Sequence, residues 1–332
     1  MSRVAVVGAG GWGTALANLL AHRGEAVTLW AYEPEVAQEI NARHRNDMFL
    51  PESPLHESLR ATTDVADAVR GAPVVISASP SHAVRMVMTR AAAALAPGAL
   101  VISVTKGLEA DGLERMTEVL TDVLPAEARI VALSGPTFAR EVYQGQPTAC
   151  TVAGAEQPAR EAQRVLSTTA FRVYTNDDVV GVELAGALKN VVAIAAGIAE
   201  GLGLGDNPRA ALITRGLAEI TRLGVALGAK PLTFMGLAGM GDLVLTATGP
   251  QSRNRSLGLE LGRGTPLQTI LARRVSVAEG VATARAAVAL GERAGVELPI
   301  AFEVAQVLFH GKPPRQALGA LMERTLKSEA AA

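Results

Sequence analysis

Residues 1–180 predict a doubly wound, mostly parallel α/β sheet, and residues 181–332 an all-helical domain. Three observations carry this expectation. A glycine pattern, Gly8-x-Gly10-x-x-Gly13, stands between an apolar β-branched run and an apolar helical run at the start of the chain. Strand-like and helix-like segments then alternate at βαβ spacing as far as Tyr174. From Asp177 onward strand signals vanish and apolar residues recur at helical spacing.

The first strand is Val4-Ala5-Val6-Val7 and the first helix runs from Thr14 to Ala21. Gly8 permits the tight turn out of the strand. Gly10, without a Cβ, lets a pyrophosphate approach the backbone, and Gly13 lets the helix lie close on the strand. The helix N-terminus adds unpaired N–H groups and a partial positive charge. This is the opening of a Rossmann-type dinucleotide-binding domain, with Gly8, Gly10 and Gly13 as candidate cofactor contacts. A second strand, Ala26 to Trp30, leads into Ala31-Tyr32-Glu33-Pro34. Glu33 lies 20 residues beyond Gly13, where an acid accepts the ribose hydroxyls of NAD. It reads equally well as the start of a solvated helix with Glu35 and Glu39. Tyr32 either stacks on an adenine or covers the sheet edge.

The polar stretch Asn41 to Leu59, punctuated by Pro51 and Pro54, reads as a long loop. A short helix over Asp64–Arg70, capped by Thr62 or Thr63, precedes the strand Val74–Ala78 and its end at Ser79-Pro80. A helix over Ser81–Leu95 stops at Pro97-Gly98. The strand Leu100–Val104 runs into Thr105-Lys106-Gly107, a helix covers Gly112–Leu124, and the strand Ile130–Leu133 enters the loop Ser134–Ala139. Two strands, Thr148–Ala153 and Phe171–Tyr174, flank a helix over Gln157–Ser167. The second half reads as helices over Asp177–Ala199, Pro208–Leu227, Gln251–Gly262, Val281–Ala294, Ile300–Phe309 and Pro314–Leu326, with Ser328–Ala332 frayed.

Composition narrows the function classes. At 332 residues the chain has room for two domains with their own cores. A hydrophobic share of 49 % and a charged share of 19 % are those of a globular protein, and a net charge of −1 favours neither nucleic acid nor an anionic membrane face. One cysteine, Cys150, excludes an intramolecular disulfide and fits a reducing cytoplasm. No cysteine and histidine cluster has metal-ligand spacing, so no metal is expected. The glycines of 8–13 break the apolar run that could pass for a signal peptide, and no uninterrupted apolar run reaches the length of a membrane span.

Ligands of doubly wound sheets lie beyond the carboxyl ends of the strands. That rule places Ser79-Pro80, Thr105-Lys106-Gly107 and Ser134-Gly135-Pro136-Thr137 on one rim. Lys106 there can hold an anionic or carbonyl-bearing substrate; the plainer reading is a solvated loop lysine. Lys189 sits in Ala185-Gly186-Ala187-Leu188-Lys189-Asn190-Val191-Val192, a helix apolar on nearly all sides. Burial lowers a lysine pKa, and such a lysine can exchange a proton with a substrate hydroxyl; the alternative is a snorkelling lysine at a domain edge. Asn190 beside it can bond a substrate oxygen. Asp242, in a glycine-rich apolar loop beginning Gly239-Met240-Gly241-Asp242, can orient Lys189. Ser252-Arg253-Asn254 at a helix start offers a hydroxyl, a guanidinium, an amide and a helix N-terminus to a phosphate; it reads alternatively as a capped helix with a surface arginine.

Taken together, these motifs resemble the bacterial NAD(P)-dependent glycerol-3-phosphate dehydrogenases over almost the whole chain. The resemblance rests on Gly8 to Ala17, Leu29-Trp30, Asn46 with Leu50-Pro51, Lys106-Gly107-Leu108, Ser134 to Ala139, Leu188-Lys189-Asn190, Gly239 to Leu243, Ser252-Arg253-Asn254 and Ala278-Glu279-Gly280. It implies reduction of dihydroxyacetone phosphate to sn-glycerol 3-phosphate with NAD(P)H, for glycerophospholipid synthesis. It further implies that Lys189 is the proton acceptor and that Lys106, Gly135, Thr137, Asp242, Ser252, Arg253 and Asn254 bind the substrate, beside Asn190 as read above. Gly11, Trp12, Lys106, Ala139, Arg253, Val277 and Glu279 are implied at the cofactor. Related sequences often carry a basic residue or histidine after the Leu-Trp of the second strand, where a 2′-phosphate would lie; Ala31-Tyr32-Glu33 here favours acceptance of NADH. The helical half is a candidate homodimer surface. A two-domain hydroxy-acid dehydrogenase and a non-catalytic NAD(P)-binding sensor are the alternative readings.

Overall fold

The computed structural model describes residues 3–110, 112–274, 278–326 and 328–329. It divides the chain into two units, Met1–Glu109 with Glu114–Glu183, and Ala110–Leu113 with Leu184–Ala332. The first unit holds one eight-stranded sheet: β1 Arg3–Val7, β2 Ala26–Trp30, β3 Arg60–Thr62, β4 Val74–Ser77, β5 Leu100–Ser103, β6 Arg129–Ser134, β7 Thr148–Ala153 and β8 Phe171–Asn176. The order is β3-β2-β1-β4-β5-β6-β7-β8. All pairs from β3 to β6 are parallel, β7 runs antiparallel to β6, and β8 is parallel to β7. The order reverses between β1 and β4, which in such sheets opens the ligand crevice.

The strands read as continuous apolar runs because both faces are buried. Val4, Val6, Ile76, Ile102 and Val131 join the core on one side, with Leu16, Leu20 and Phe171. Ala5, Val7, Val75 and Val101 alternate into the core on the other, with Val84, Met88, Met116 and Leu120. The helices of this unit are α1 Gly11–His22, α2 Pro34–Arg43, α3 Val65–Val69, α4 Ser81–Ala92, α5 Met116–Val123, α6 Ala139–Tyr143 and α7 Glu156–Leu166.

Several details differ from the sequence expectation. The long loop is shorter, because α2 takes in Asn41 to Arg43, and beyond the loop an unexpected strand, β3, adds a parallel edge to β2. The cap of α3 is Asp64, whose Oδ1 accepts from the Ala66 and Asp67 amides at 2.9 and 3.3 Å; the Thr62 hydroxyl instead accepts from Asp64 N. The helix expected from Gly112 begins at Met116. Leu113 has φ +58°, outside helical space, and Glu118 reaches back to the Arg115 amide at 2.8 Å to start the helix there. The loop after β6 contains α6.

The remaining helices are α8 Val179–Gly201, α9 Asp206–Ala226, α10 Pro231–Phe234, α11 Asp242–Thr248, α12 Arg253–Gly262, α13 Leu267–Ala272, α14 Glu279–Ala294, α15 Pro299–Phe309 and α16 Pro314–Met322, with a π-turn at Leu237–Gly241. α8 is long and apolar enough to cross a membrane, but 89 % of its most apolar window is buried within the protein. In the second unit α8 packs backbone to backbone on α12. A Cβ at Gly197 would strike the Arg255 carbonyl, and one at Gly258 the Ile194 carbonyl. Glycine at these positions fixes the spacing of the two helices that carry Lys189, Asn190 and Asn254.

Candidate active site

Local backbone builds the glycine turn. Gly8 has φ +128° and donates its N–H to the Trp30 carbonyl at 3.1 Å; a Cβ there would lie 2.7 Å from the Ala78 backbone. A Cβ on Gly13 would strike the Gly8 carbonyl oxygen, so α1 could not start so close to β1. Around Gly10 a Cβ would meet nothing within 4 Å, and no side chain caps α1. The first N–H groups of the helix are therefore left to a ligand.

Asn46, fully buried, holds the turn in shape. Its Nδ2 donates to the Ala9 carbonyl and to Thr14 Oγ1, both at 2.8 Å, and Thr14 Oγ1 donates to the same carbonyl at 3.1 Å. The loop carrying Asn46 also brings the Phe49 carbonyl to within 2.8 Å of where a Gly11 Cβ would stand, and Ala139 Cβ is 3.8 Å from that position. Trp12 packs against the core with its ring 6.3 Å from Phe171. Tyr32 is 69 % exposed, its ring set edge-on to Trp30 at 6.4 Å. Glu33 is the N-cap of α2, and its carboxylate makes no capping hydrogen bond.

On the rim beyond β4, β5 and β6, the Lys106 ammonium donates to the Gly135 carbonyl at 2.6 Å and to Thr137 Oγ1 at 3.0 Å. Gly135 has φ +144°, a conformation that favours glycine, and a Cβ there would lie 2.8 Å from Cys150 Cα; its carbonyl accepts from Lys106. Thr105 Oγ1 donates to the Ser79 carbonyl at 2.7 Å, tying the end of β5 to the end of β4.

In the second unit, the Lys189 ammonium lies 2.8 Å from Asp242 Oδ1 and 2.6 Å from Thr246 Oγ1, and Thr246 Oγ1 is 3.2 Å from the same carboxylate oxygen. Lys189 is 6 % exposed and Asp242 1 %. A lysine this buried needs such partners, since an unpaired charge would be costly. Asp242 does not stand in a loop, as its glycines suggest. It opens α11 directly after the π-turn, where Gly241 N donates to the Gly236 carbonyl at 3.1 Å and Gly239 packs on the Phe234 backbone. One extra residue in the turn re-aims the helix behind it.

Asn190 Oδ1 accepts from Asn254 Nδ2 at 2.9 Å, and Asn254 Oδ1 accepts from the Gly280 amide at 3.0 Å. Ser252 is the N-cap of α12, its buried Oγ accepting from Arg255 N at 3.2 Å. Arg253 is exposed and makes no side-chain hydrogen bond or ion pair among the described residues. Although part of the side chain reaches solvent, the protein around the guanidinium desolvates it and holds its pKa below the ordinary arginine value; Glu279 opposes the shift and Arg274 adds to it. Val277 falls outside the described residues. Among the described residues no group of three or more His, Cys, Asp or Glu could hold a metal ion.

Models of the NAD-dependent glycerol-3-phosphate dehydrogenase N-terminus and C-terminus match residues 3–160 and 178–319. The glycerol-3-phosphate dehydrogenase [NAD(P)+] of Geobacter sp. (strain M21) is 53 % identical over 330 residues, 98 % of each chain. The chain belongs to the NAD-dependent glycerol-3-phosphate dehydrogenase family. A second relative of the same name, from Citrifermentans bemidjiense, is also 53 % identical over 98 % of each chain. The crystal structure of glycerol-3-phosphate dehydrogenase from Coxiella burnetii superimposes with a TM-score of 0.94 at 40 % identity, covering 97 % of this chain and 99 % of that one.

In this member of the family, the first unit gathers Gly8, Gly10, Gly11, Gly13 and Ala139 about the start of α1, and Lys106, Gly135 and Thr137 on the rim. The second gathers Lys189, Asp242, Asn190 and Asn254. Two participants escape a local reading of the sequence. Thr246 is one helical turn beyond Asp242, a spacing that becomes a signal only once Asp242 is known to open a helix. Asn46 is picked out only by the family resemblance, and its role at the glycine turn depends on a loop whose course no local pattern encodes.

Proposed function

We propose that the chain reduces dihydroxyacetone phosphate to sn-glycerol 3-phosphate with NAD(P)H, and oxidises it in reverse, for glycerophospholipid synthesis. The observation that carries the reading is the buried lysine Lys189, within 2.8 Å of a carboxylate and 2.6 Å of a hydroxyl. Residues 1–180 then form the NAD(P)-binding domain and residues 181–332 the substrate and catalytic domain. The glycine turn fits the cofactor: its helix N-terminus lacks a side-chain cap, and Gly10 leaves open the space a pyrophosphate needs. When bound, NAD(P)H supplies the hydride to C2.

The chain's own residues do the rest. Lys189 gives a proton from Nζ to the oxygen developing on C2, and takes it back in oxidation. Asp242 balances the ammonium charge and, with Thr246, holds Nζ in place. Lys106 and Asn190 donate to the carbonyl oxygen as it gains charge, and Gly135 and Thr137 fix the Lys106 ammonium at the substrate. Arg253, with Ser252, Asn254 and the start of α12, holds the phosphate, so that binding remote from C2 serves positioning. Gly8, Gly10, Gly11, Trp12, Gly13, Tyr32, Glu33, Lys106, Ala139, Arg253, Val277 and Glu279 serve the cofactor. Exposed Leu232, Met235 and Met322 support a homodimer, and the single buried cysteine supports a cytoplasmic location.

The deciding experiment follows loss of NADH and of NADPH absorbance with dihydroxyacetone phosphate, with unphosphorylated dihydroxyacetone as control. Oxidation is expected with the phosphorylated ketone alone, and Lys189→Ala is expected to abolish it while the protein still binds cofactor. Turnover of a hydroxy acid or its ketone in preference, or a Lys189→Ala enzyme within about tenfold of the parent, overturns the reading.

A further inference from the structure

Ala9 and Gly10 share a peptide unit that the helix behind it does not hold. The first bond of α1 runs from Thr14 N to the Gly10 carbonyl at 2.9 Å, and among the described residues no backbone N–H donates to the Ala9 carbonyl. A peptide unit is planar and trans, so its C=O and N–H point in opposite directions. Turning the unit over exchanges the two and changes the dihedrals on either side. Most residues resist that change; glycine does not, because it takes positive φ freely. The glycine that lets a phosphate come close is therefore also the one whose N–H is free to face the wrong way.

Side chains remove this freedom. Gly10 has φ −61°, and the Ala9 carbonyl accepts two hydrogen bonds, from Asn46 Nδ2 at 2.8 Å and from Thr14 Oγ1 at 3.1 Å. The second hydrogen of Asn46 Nδ2 goes to Thr14 Oγ1, also at 2.8 Å, which closes the triangle. The orientation of the Asn46 amide is decided at both of its ends. The Ala9 carbonyl can only accept, so it takes the NH2; the Phe49 N–H, 3.3 Å away, can only donate, so it takes Oδ1. Leu50 N donates to the Asn46 carbonyl at 2.8 Å and tightens the same loop. Asn46 and Thr14 are both wholly buried, so no solvent competes for the Ala9 oxygen. With that oxygen drawn to these donors, the Gly10 N–H faces the opposite way, and it has no partner among the described residues.

We propose that Asn46, together with Thr14, sets the direction of the Gly10 N–H and so makes the glycine turn a donor to the cofactor's pyrophosphate. Turned over, the same peptide unit would set a carbonyl oxygen against the phosphates. Asn46 is a positioning residue: it touches the turn and not the cofactor. The proposal rests on the reading that the pyrophosphate lies at the start of α1, and it goes further by naming what gives the turn its polarity.

The test is Asn46→Leu, which is close in size and removes both donated hydrogen bonds. Four quantities are read: the Kd for NADH, the Kd for ADP-ribose, and kcat and the KM for dihydroxyacetone phosphate at saturating NADH. A crystal structure of the variant shows the peptide itself. Both Kd values are expected to rise by at least about tenfold, together, since both ligands carry the pyrophosphate. Both kcat and KM are expected to stay within about tenfold of the parent's, and the peptide between Ala9 and Gly10 is expected to be turned over. A smaller rise in either Kd, a larger change in kcat or KM, or a peptide that keeps the parent's direction would overturn the proposal. If Asn46→Leu does not fold, Thr14→Val takes its place. It deletes one of the two donors to the Ala9 carbonyl, and at least about a threefold rise in both Kd values is expected; a smaller one overturns the proposal. Failure of the underlying reading shows separately, with Asn46 in place, as a Gly10→Ala variant that binds NADH normally.

Discussion

Lys189 and Asp242 form an ion pair at 2.8 Å with 7 % and 1 % of their side chains exposed, and Thr246 bonds to both. Removing one charge of a buried pair leaves the other without compensation, at a cost of about 3–5 kcal/mol in stability. Asp242→Asn keeps the shape and one acceptor oxygen but deletes the counter-charge. The variant is expected to lose at least about 100-fold in kcat and to melt well below the parent. A variant with unchanged kcat would remove Asp242 from the proposed proton step. Thr246→Val tests the smaller contribution, a hydrogen bond to a charged group worth about 1.5–3 kcal/mol, by the same two measurements.

Arg253 presents a guanidinium with no ion pair among the described residues, beside the start of a helix. Such a group is placed for an anion. Arg253→Ala is expected to raise the KM for dihydroxyacetone phosphate by at least about tenfold with a smaller change in NADH Kd. An unchanged KM, measured under the same salt, would exclude Arg253 from the phosphate contact.

What the sequence reveals depends on how local each feature is. The glycine turn is legible because Gly8 and Gly13 answer clashes with the Ala78 backbone and the Gly8 carbonyl that any chain folded this way would meet. Lys189 stands out because one lysine interrupts an apolar helix, and Asp242 is legible as a partner by its type. The helix that presents Asp242 is not legible, because the π-turn before it exists only through Gly239 packing on the Phe234 backbone. Its glycines therefore look like a loop. Asn46 is noticed only through the family resemblance and its role is hidden for the same reason: it is an ordinary polar loop residue until the fold brings it to the Ala9 carbonyl, 37 positions away. The start of α5 is misplaced from sequence because nothing local announces the positive φ of Leu113.

Gly13→Ala puts a methyl group into the Gly8 carbonyl. α1 must then move away from the turn that holds its free N–H groups. The expected outcome is a loss of at least about tenfold in affinity for NADH and NADPH alike, read by titration of nicotinamide fluorescence. Gly10→Ala meets open space in the protein itself. It should leave the melting temperature nearly unchanged and weaken the cofactor all the same. If Gly10→Ala binds cofactor normally, the pyrophosphate does not approach there.

Cofactor choice is expected to lie with Glu33, whose carboxylate makes no capping bond, next to the exposed Tyr32. A carboxylate at the ribose favours two hydroxyls and repels a 2′-phosphate. Glu33→Arg should shift the kcat/KM ratio of NADPH to NADH upward by at least about tenfold. A ratio that does not move would leave Glu33 as no more than the start of α2.

Glu219 on α9 provides a test of stability independent of catalysis. It is 6 % exposed, and its carboxylate accepts from the Ile300 and Ala301 amides at 2.7 and 3.4 Å, closing the start of α15. Burial pushes its pKa up to about 7, against the pull of those amides and of Arg222 and Arg215. In the unfolded chain a glutamate titrates near ~4.3. Between those two values the folded protein binds more protons than the unfolded one, so stability falls as pH rises through the window and stays lower above it. The whole effect is about 4 kcal/mol, of which about 3 kcal/mol falls above pH 5. Glu219→Gln cannot ionise and escapes this loss. Its melting temperature relative to the parent's is expected to climb between about pH 5 and pH 8.5, by on the order of 5 °C. A difference between the two proteins that is the same at both pH values would mean that Glu219 stays ionised in the fold, with its two backbone amides and the nearby arginines outweighing burial.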